Sequence, residues 1–224
     1  MNSTVMPRRR ALALAGTALL SWSPAIRAIA GAGPDPAHEA ATFVREFADR
    51  AIAMLTDRSL SAADRDEALR ELLRTGFDLD ITSRLVLGRY WGQATAEQRT
   101  AYRQLFEDYL VATYGGQLRE YSGQTLQVQD ARLEGGRDAI VRSRVQASNG
   151  GSPIGVDWRL RRSQDRWRII DVVVAGVSLA ITHRSEFAAL ISREGGIDGL
   201  LQALRRKTGS GQVAKNPDTT EART

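Results

Sequence analysis

The chain contains no cysteine. That excludes structural disulfides, thiol catalysis, thiolate zinc sites and membrane attachment through a lipidated N-terminal cysteine. Histidine is nearly as scarce, with His38 and His183 the only two, so chemistry that needs clustered imidazoles has almost no material. No phosphate-binding glycine loop, dinucleotide fingerprint or metal-ligand spacing occurs, and no cofactor is expected. Beyond residue 30, no apolar run approaches the roughly 18 residues that a membrane span needs.

A dominant charge of one sign is also missing once the ends are set aside. The formal net charge is +5, but residues 1–30 hold four arginines and no acid, and the segment from Arg205 onward holds five bases against two acids. Removing the first stretch lowers the charge to +1, and removing the second lowers it to −2. A mildly acidic body does not offer the basic face that nucleic acid requires.

The N-terminus has its own logic. Arg8, Arg9 and Arg10 precede an apolar run over residues 11–20, and Ala28, Ile29 and Ala30 supply the small-x-small pattern of a cleavage site. Residues 1–30 therefore read as a cleavable export signal, with both the general secretory and the twin-arginine route open. The expected organisation is a signal over 1–30, one domain over 31–207 and a polar, disordered tail over 208–224. The expected location is the periplasm of a bacterium.

The stretch over residues 87–121 organises what remains. Thr95 and Gln98 form a capping-box start. From there Tyr102, Leu105, Phe106, Tyr109, Leu110, Thr113 and Tyr114 recur at helical spacing, with Glu97, Arg99, Arg103 and Glu107 directed to water. Such a stripe packs against a core or walls a cavity, and pattern alone leaves both open; in the second case Tyr90, Trp91 and a break at Gly115-Gly116 mark the cavity's ends. Three shorter helices precede it. One runs over 37–56 with Phe43, Phe47, Ala51, Met54 and Leu55 at helical spacing. A second, capped by Ser61, turns Leu69, Leu72 and Leu73 inward, and a third, capped by Asp78 or Asp80, ends at Gly88.

At Gly123 the period changes to two. Leu126 and Val128 alternate with glutamines, and Ala131 and Leu133 resume one step out of phase, which predicts a bulge. Turns at Gly135-Gly136, Asn149-Gly150-Gly151 and Gln164-Asp165 divide the rest into strands, the fourth being the apolar run WRIIDVVV. A helix capped by Ser178 and a short one over 197–204 follow. Helices, then an antiparallel meander of four strands, then helices returning over it give an α+β fold in one domain.

Three groups invite a catalytic reading. Gly176-Val177-Ser178-Leu179-Ala180 nearly matches a nucleophile elbow, but His183 lies on the same helix, His38 is near the N-terminus, and Ser178 also fits a helix cap. His183 and Glu186 have an i, i+3 spacing seen in metal sites, without a third ligand. Asp171, flanked by Ile170 and Val172, reads as buried and paired with an arginine, or as an acid or base. Nothing supplies substrate-activating partners, so a non-enzymatic binding protein is the expected class.

The segments LGRYWGQATAEQRTAYRQLFEDYLVATYGGQLREYSGQTLQV and WRIIDVVVAGVSLAITHRSEFAALISREGGIDGLLQALRR closely resemble the MlaC, or toluene-tolerance auxiliary, family of periplasmic phospholipid-binding proteins. The likeness covers about residues 37–207. It implies an NTF2-like α+β fold enclosing an apolar pocket for phospholipid tails. It also implies a monomeric shuttle between an outer-membrane lipoprotein complex and an inner-membrane ABC transporter with an MCE-domain subunit, serving outer-membrane lipid asymmetry. A carrier of another envelope lipid, such as a hopanoid, and a Ser178 esterase are the alternatives. With strand parity, the resemblance proposes Tyr90, Trp91, Phe106, Leu110, Tyr114, Val128, Val141, Val145, Val156, Trp158 and Ile169 as the lipid-binding lining.

Overall fold

A computed structural model of the chain describes residues 35–213. The export signal lies outside the described residues, as does the part of the expected tail beyond residue 213.

Four helices come first, and local chemistry starts each of them. α1 (Pro36–Thr56) has Pro at its first position and Asp35 accepting from the Ala37 amide. α2 (Ala62–Gly76) opens on a capping box between Ser61 and Asp64, and α3 (Leu79–Leu87) on Asp78, which accepts from the Ile81 amide. Gly88 ends α3 at φ +57°, a conformation that glycine alone adopts without strain, and a 3-10 turn over Gly88–Gly92 follows. α4 (Ala96–Arg119) begins with the Thr95/Gln98 capping box. It runs through Gly115-Gly116 instead of breaking there, because α2 packs against Gly115: a Cβ on that residue would stand 3.7 Å from Leu69.

The sheet is an antiparallel meander in the order β1 (Thr125–Glu134), β2 (Asp138–Gln146), β3 (Ile154–Ser163), β4 (Arg166–Val174) and β5 (Val177–Ser178). The register slips between Val128 and Asp130, where the alternation changes phase. Asp138 faces Arg161 across β2 and β3 and receives two hydrogen bonds of 2.7 and 2.6 Å from it, which fixes that pairing. The fifth strand corrects the expectation of four. Ala175 and Gly176 take positive φ (49° and 82°), so the chain doubles back and Val177 and Ser178 pair with Val174 and Val173. Two residues are too few to show a period.

α5 (Leu179–Arg193) and α6 (Ile197–Val213) close the fold. α6 continues past Leu204 into the segment read as tail. Leu200, Leu201 and Leu204 are its buried anchors, and α6 packs on both α4 and α5. α1 covers β1 and β2, while α5, α3 and α2 reach β4. Between the helices and the sheet lies a core that includes Val44, Leu87, Tyr102, Phe106, Val141, Leu160, Ile169 and Phe187. Tyr102 is wholly buried and its hydroxyl donates to the Ser83 carbonyl at 3.2 Å, which avoids an unmade buried hydrogen bond. Glu107 does not face water as expected: α2 lies against it, and Arg70 and Arg74 approach its carboxylate at 3.1 and 2.9 Å.

Candidate functional site

The core does not close completely. A cavity of about 270 Å³ remains between α1, α2, α3, α4, α5 and the inner face of the sheet. α1 contributes Phe47, Ala51, Met54 and Leu55, α2 contributes Leu69, Leu72 and Leu73, and Phe77 follows it. Thr82 and Val86 come from α3, and Phe106, Leu110, Tyr114 and Leu118 form one edge of α4. Trp158 and Val172 supply the sheet side, and Leu179, Ala180 and His183 the α5 side. Rings prop up one end: Phe47 meets Phe77 edge-on at 5.9 Å and Trp158 edge-on at 5.8 Å. The Trp158 indole N–H donates to Ser143 Oγ at 2.9 Å, so its polar atom is satisfied within the sheet.

The polar groups on the cavity wall are satisfied within the protein. Asp171 Oδ2 accepts from Ser178 Oγ at 2.6 Å, its Oδ1 accepts from the Ala180 amide at 3.0 Å, and Arg159 Nη1 stands 3.8 Å away. The carboxylate therefore seats the N-terminus of α5 against β4. Ser178 Oγ also accepts from the Ile181 amide at 3.1 Å; it is a helix cap whose proton is given to Asp171. His183 is buried with both ring nitrogens engaged. Nδ1 lies 2.9 Å from Glu186 Oε2 and 3.1 Å from the Tyr109 hydroxyl, and Nε2 lies 2.7 Å from the Tyr114 hydroxyl. A carboxylate only accepts, so these partners suit a proton on Nδ1, with Tyr114 donating to Nε2. Burial, and then the Glu186 charge, push the phenols of Tyr109 and Tyr114 above their ordinary range, which keeps both hydroxyls as donors. His38 is exposed near the start of α1. Among the described residues, no group of three or more histidine, aspartate or glutamate side chains is placed to hold a metal.

Of the residues expected to line a pocket, the structure brings four to the cavity: Phe106, Leu110, Tyr114 and Trp158. The others stand elsewhere, for separate reasons. α1 lies on β1 and β2, so Val128 and Val141 pack as core beneath it. Val145 pairs with Ile154 and Val156 with Val174, beyond Trp158 along the sheet. Ile169 is wholly buried opposite Leu160, and its neighbour Ile170 is skipped in the β3–β4 register. That irregularity changes the phase of β4 and places Val172, opposite Trp158, on the same side as Ile169, so that Val172 reaches the cavity while Ile169 is filled in as core. Tyr90 and Trp91 sit in the 3-10 turn, to which Gly88 diverts the chain. The guanidinium carbons of Arg84, Arg99 and Arg103 lie 5.1, 5.4 and 5.2 Å from the Trp91 ring centre. The apolar stripes of α1 and α2, read from sequence only as helical spacing and an inward face, supply much of the lining.

Fold and cavity together define an α+β protein with an apolar chamber walled by its helices and sheet. The family model described as "MlaC protein" matches residues 45–206, and the chain belongs to the MlaC family. It is 29% identical over 130 residues to the toluene tolerance protein ttg2D of Pseudomonas putida, covering 58% of this chain and 60% of that one. It is 27% identical over 132 residues to the intermembrane phospholipid transport system binding protein MlaC of Haemophilus influenzae, covering 58% and 61%. The chain thus spans about three fifths of the length of these curated relatives. A solved structure of a phospholipid-binding protein from Ralstonia solanacearum, in complex with a phospholipid, superposes with a TM-score of 0.69 at 28% identity. It covers 77% of this chain and 98% of that one.

Proposed function

We propose that the chain is a non-enzymatic phospholipid carrier of the bacterial periplasm that holds acyl chain in the apolar cavity. The observation that carries this reading is the cavity itself, whose few polar lining groups are engaged by partners within the protein, so that what remains to contact a ligand is aliphatic and aromatic. The names of the Haemophilus and Ralstonia relatives support it. The physics of the task supports it too. Taking a diacyl lipid out of a bilayer exposes about 30 methylenes, at about 0.8 kcal/mol each about 24 kcal/mol. A dry chamber removes much of that barrier without nucleophile, metal or cofactor. Phe106, Leu110, Tyr114 and Trp158 are the proposed tail contacts from α4 and β3, joined by Phe47, Leu72 and Val172. In this reading the carrier loads and unloads at an inner-membrane ABC transporter with an MCE-domain subunit and at an outer-membrane lipoprotein complex, maintaining outer-membrane asymmetry.

Native mass spectrometry of the protein purified from the cell envelope tests the reading. The expected result is a co-purifying diacyl phospholipid that is lost in Leu110→Arg, whose charge would sit in the cavity wall. A triterpenoid in its place supports the hopanoid alternative. A protein that carries no lipid and takes none from phospholipid vesicles is not a carrier.

A further inference from the structure

A second depression borders the cavity on the far side of a single ring. It measures about 520 Å³ and is lined by Arg74, Asp78, Asp80, Gln164, Arg166 and Arg168 together with Ser163 and Leu79. Phe77 lines both this polar groove and the apolar cavity, and it is the residue their linings share. The backbone there is fixed: the Phe77 amide donates to Leu73 O at 2.9 Å and the Asp78 amide to Ile169 O at 2.9 Å. Rotation of the Phe77 side chain, which rests edge-on against Phe47, is therefore the motion that would join the two spaces.

The groove has cation to spare. Asp78 Oδ1 is occupied by the Ile81 amide, and Asp80 Oδ1 stands 3.2 Å from Arg103 Nε. Arg74 reaches Glu107, and Arg168 Nη1 donates to the carbonyls of Arg74 and Thr75 at the end of α2. Arg166 is exposed at the first position of β4, and among the described residues no ion pair or hydrogen bond engages its guanidinium. The cavity's opposite flank offers nothing comparable. Its basic residue there is Arg65, whose guanidinium donates to the carbonyls of Leu55, Asp57 and Leu60 and so closes the end of α1.

We propose that this groove seats the phosphate-bearing head of an amphiphile whose tail occupies the cavity, with Arg166 and Arg168 as its anion contacts and the Phe77 ring as the partition. The proposal rests on the phospholipid-carrier reading and specifies its polar end. An acyl chain gains by leaving water, whereas a phosphodiester must keep its water or find charged donors, and planar guanidinium forks supply those donors. A dry chamber and an arginine groove one ring apart meet both demands.

The test uses two ligands with identical tails, dioleoyl phosphatidylglycerol and dioleoylglycerol, on the delipidated protein, read by tryptophan fluorescence, to which Trp158 on the cavity wall contributes, and by native mass spectrometry. Arg166→Glu is expected to weaken the phospholipid about tenfold or more and to leave dioleoylglycerol unchanged. Arg144→Glu, an exposed charge reversal on β2, is expected to change neither. If Arg166→Glu alters neither ligand, or weakens both equally, the groove is not a head-group seat. Glycerol 3-phosphate separates a lipid head from a free phosphate: binding that matches the intact phospholipid's and is lost in Arg166→Glu would make the groove a soluble-phosphate site and overturn the proposal. Phe77→Ala, with folding checked by circular dichroism, is expected to speed phospholipid exchange several-fold; an unchanged rate overturns the partition. Wild-type protein that binds dioleoylglycerol without preferring the phospholipid refutes the groove and leaves the cavity reading standing. Wild-type protein that binds neither lipid refutes the carrier reading, and the groove with it.

Discussion

Filling the cavity should separate stability from function. At about 24 cal/mol per Å³ of unfilled core, a void of about 270 Å³ corresponds to about 6 kcal/mol of forgone packing. That is comparable to the whole stability of an ordinary domain, about 5–15 kcal/mol. Ala51 is the test position because it lies inside α1 with its side chain on the cavity, and a larger residue there grows into space and not into a neighbour. In Ala51→Phe, burial of the ring contributes about 1.5–3 kcal/mol. The lower helix propensity of Phe returns about 0.5 kcal/mol of that. The expected net gain is about 1–2 kcal/mol, a rise in Tm of about 3–6 °C for a domain of this size. The same ring occupies the space proposed for an acyl tail, so phospholipid bound per protein in native mass spectrometry should fall sharply. Thermal unfolding must be measured on delipidated protein, because bound ligand stabilises the wild type by mass action and would mask the gain. A variant that is destabilised by several degrees, or that keeps its full lipid complement, would show that the space is not the void described.

Gly76→Ala attacks the same chamber from its aromatic end: a Cβ there would stand 2.2 Å from the Phe47 ring, so the ring must shift, and a loss of about 1–3 kcal/mol in denaturant unfolding is expected. Tyr114→Phe leaves His183 Nε2 without its donor at a buried site, and the expected cost is about 1–3 kcal/mol by the same measurement. Burial raises the phenols of Tyr102, Tyr109 and Tyr114, so their contribution to stability is complete below the unfolded tyrosine value of about 10 and is lost as pH rises through the folded values. Alkaline absorbance titration should show these three ionising late and together with unfolding. Asp138 moves the other way, its carboxyl lowered chiefly by hydrogen bonds from Arg161. Its contribution is present above the unfolded value of about 3.9 and disappears as pH falls through the lower folded value. The pair is about one third exposed on each side, so Asp138→Asn should cost about 1 kcal/mol or less at pH 7 and nothing below that folded value.

Features set by neighbouring residues were legible in the sequence, and features set by the filling of space were not. The Thr95/Gln98 capping box, the Ser61, Asp78 and Ser178 caps and the bulge at Val128 each rest on a few adjacent residues, and each stands in the structure. The irregularity at Ile170 is equally local but silent: WRIIDVVV is apolar on both parities, so a phase change leaves no trace in the pattern. Parity carried through that strand selects Ile169, where the structure presents Val172. The cavity lining was legible only in small part, for a more general reason. Val141 on β2 and Val172 on β4 are the same residue type in one sheet, with β3 between them, yet one lies beneath α1 and the other faces open volume. Nothing in an apolar side chain records whether its far side touches a neighbour or a void.

The way the walls are tied explains how a void of this size survives in a folded protein. α4 is fastened by polar bonds on three sides: Arg70 and Arg74 of α2 hold Glu107, the Tyr102 hydroxyl holds Ser83 of α3, and Tyr109 and Tyr114 hold His183 and Glu186 of α5. Asp171 then fastens α5 to the sheet through Ser178 and the Ala180 amide. Each tie is directional and lies at or behind the wall, so it resists the inward collapse that non-directional apolar attraction would otherwise drive. α1 differs. Its ends are held to α2 by Arg65 and to β3 by the Glu39–Arg162 pair, while Phe47, Ala51, Met54 and Leu55 meet the chamber through dispersion contacts alone. Apolar contacts can slide and re-form at little cost, whereas a hydrogen-bonded tie must break. A frame stiff on the α4–α5–sheet side and yielding along α1 is the arrangement that, in the proposed function, would let a chamber below the usual 300–1,000 Å³ of ligand pockets admit a fatty chain without losing the fold around it.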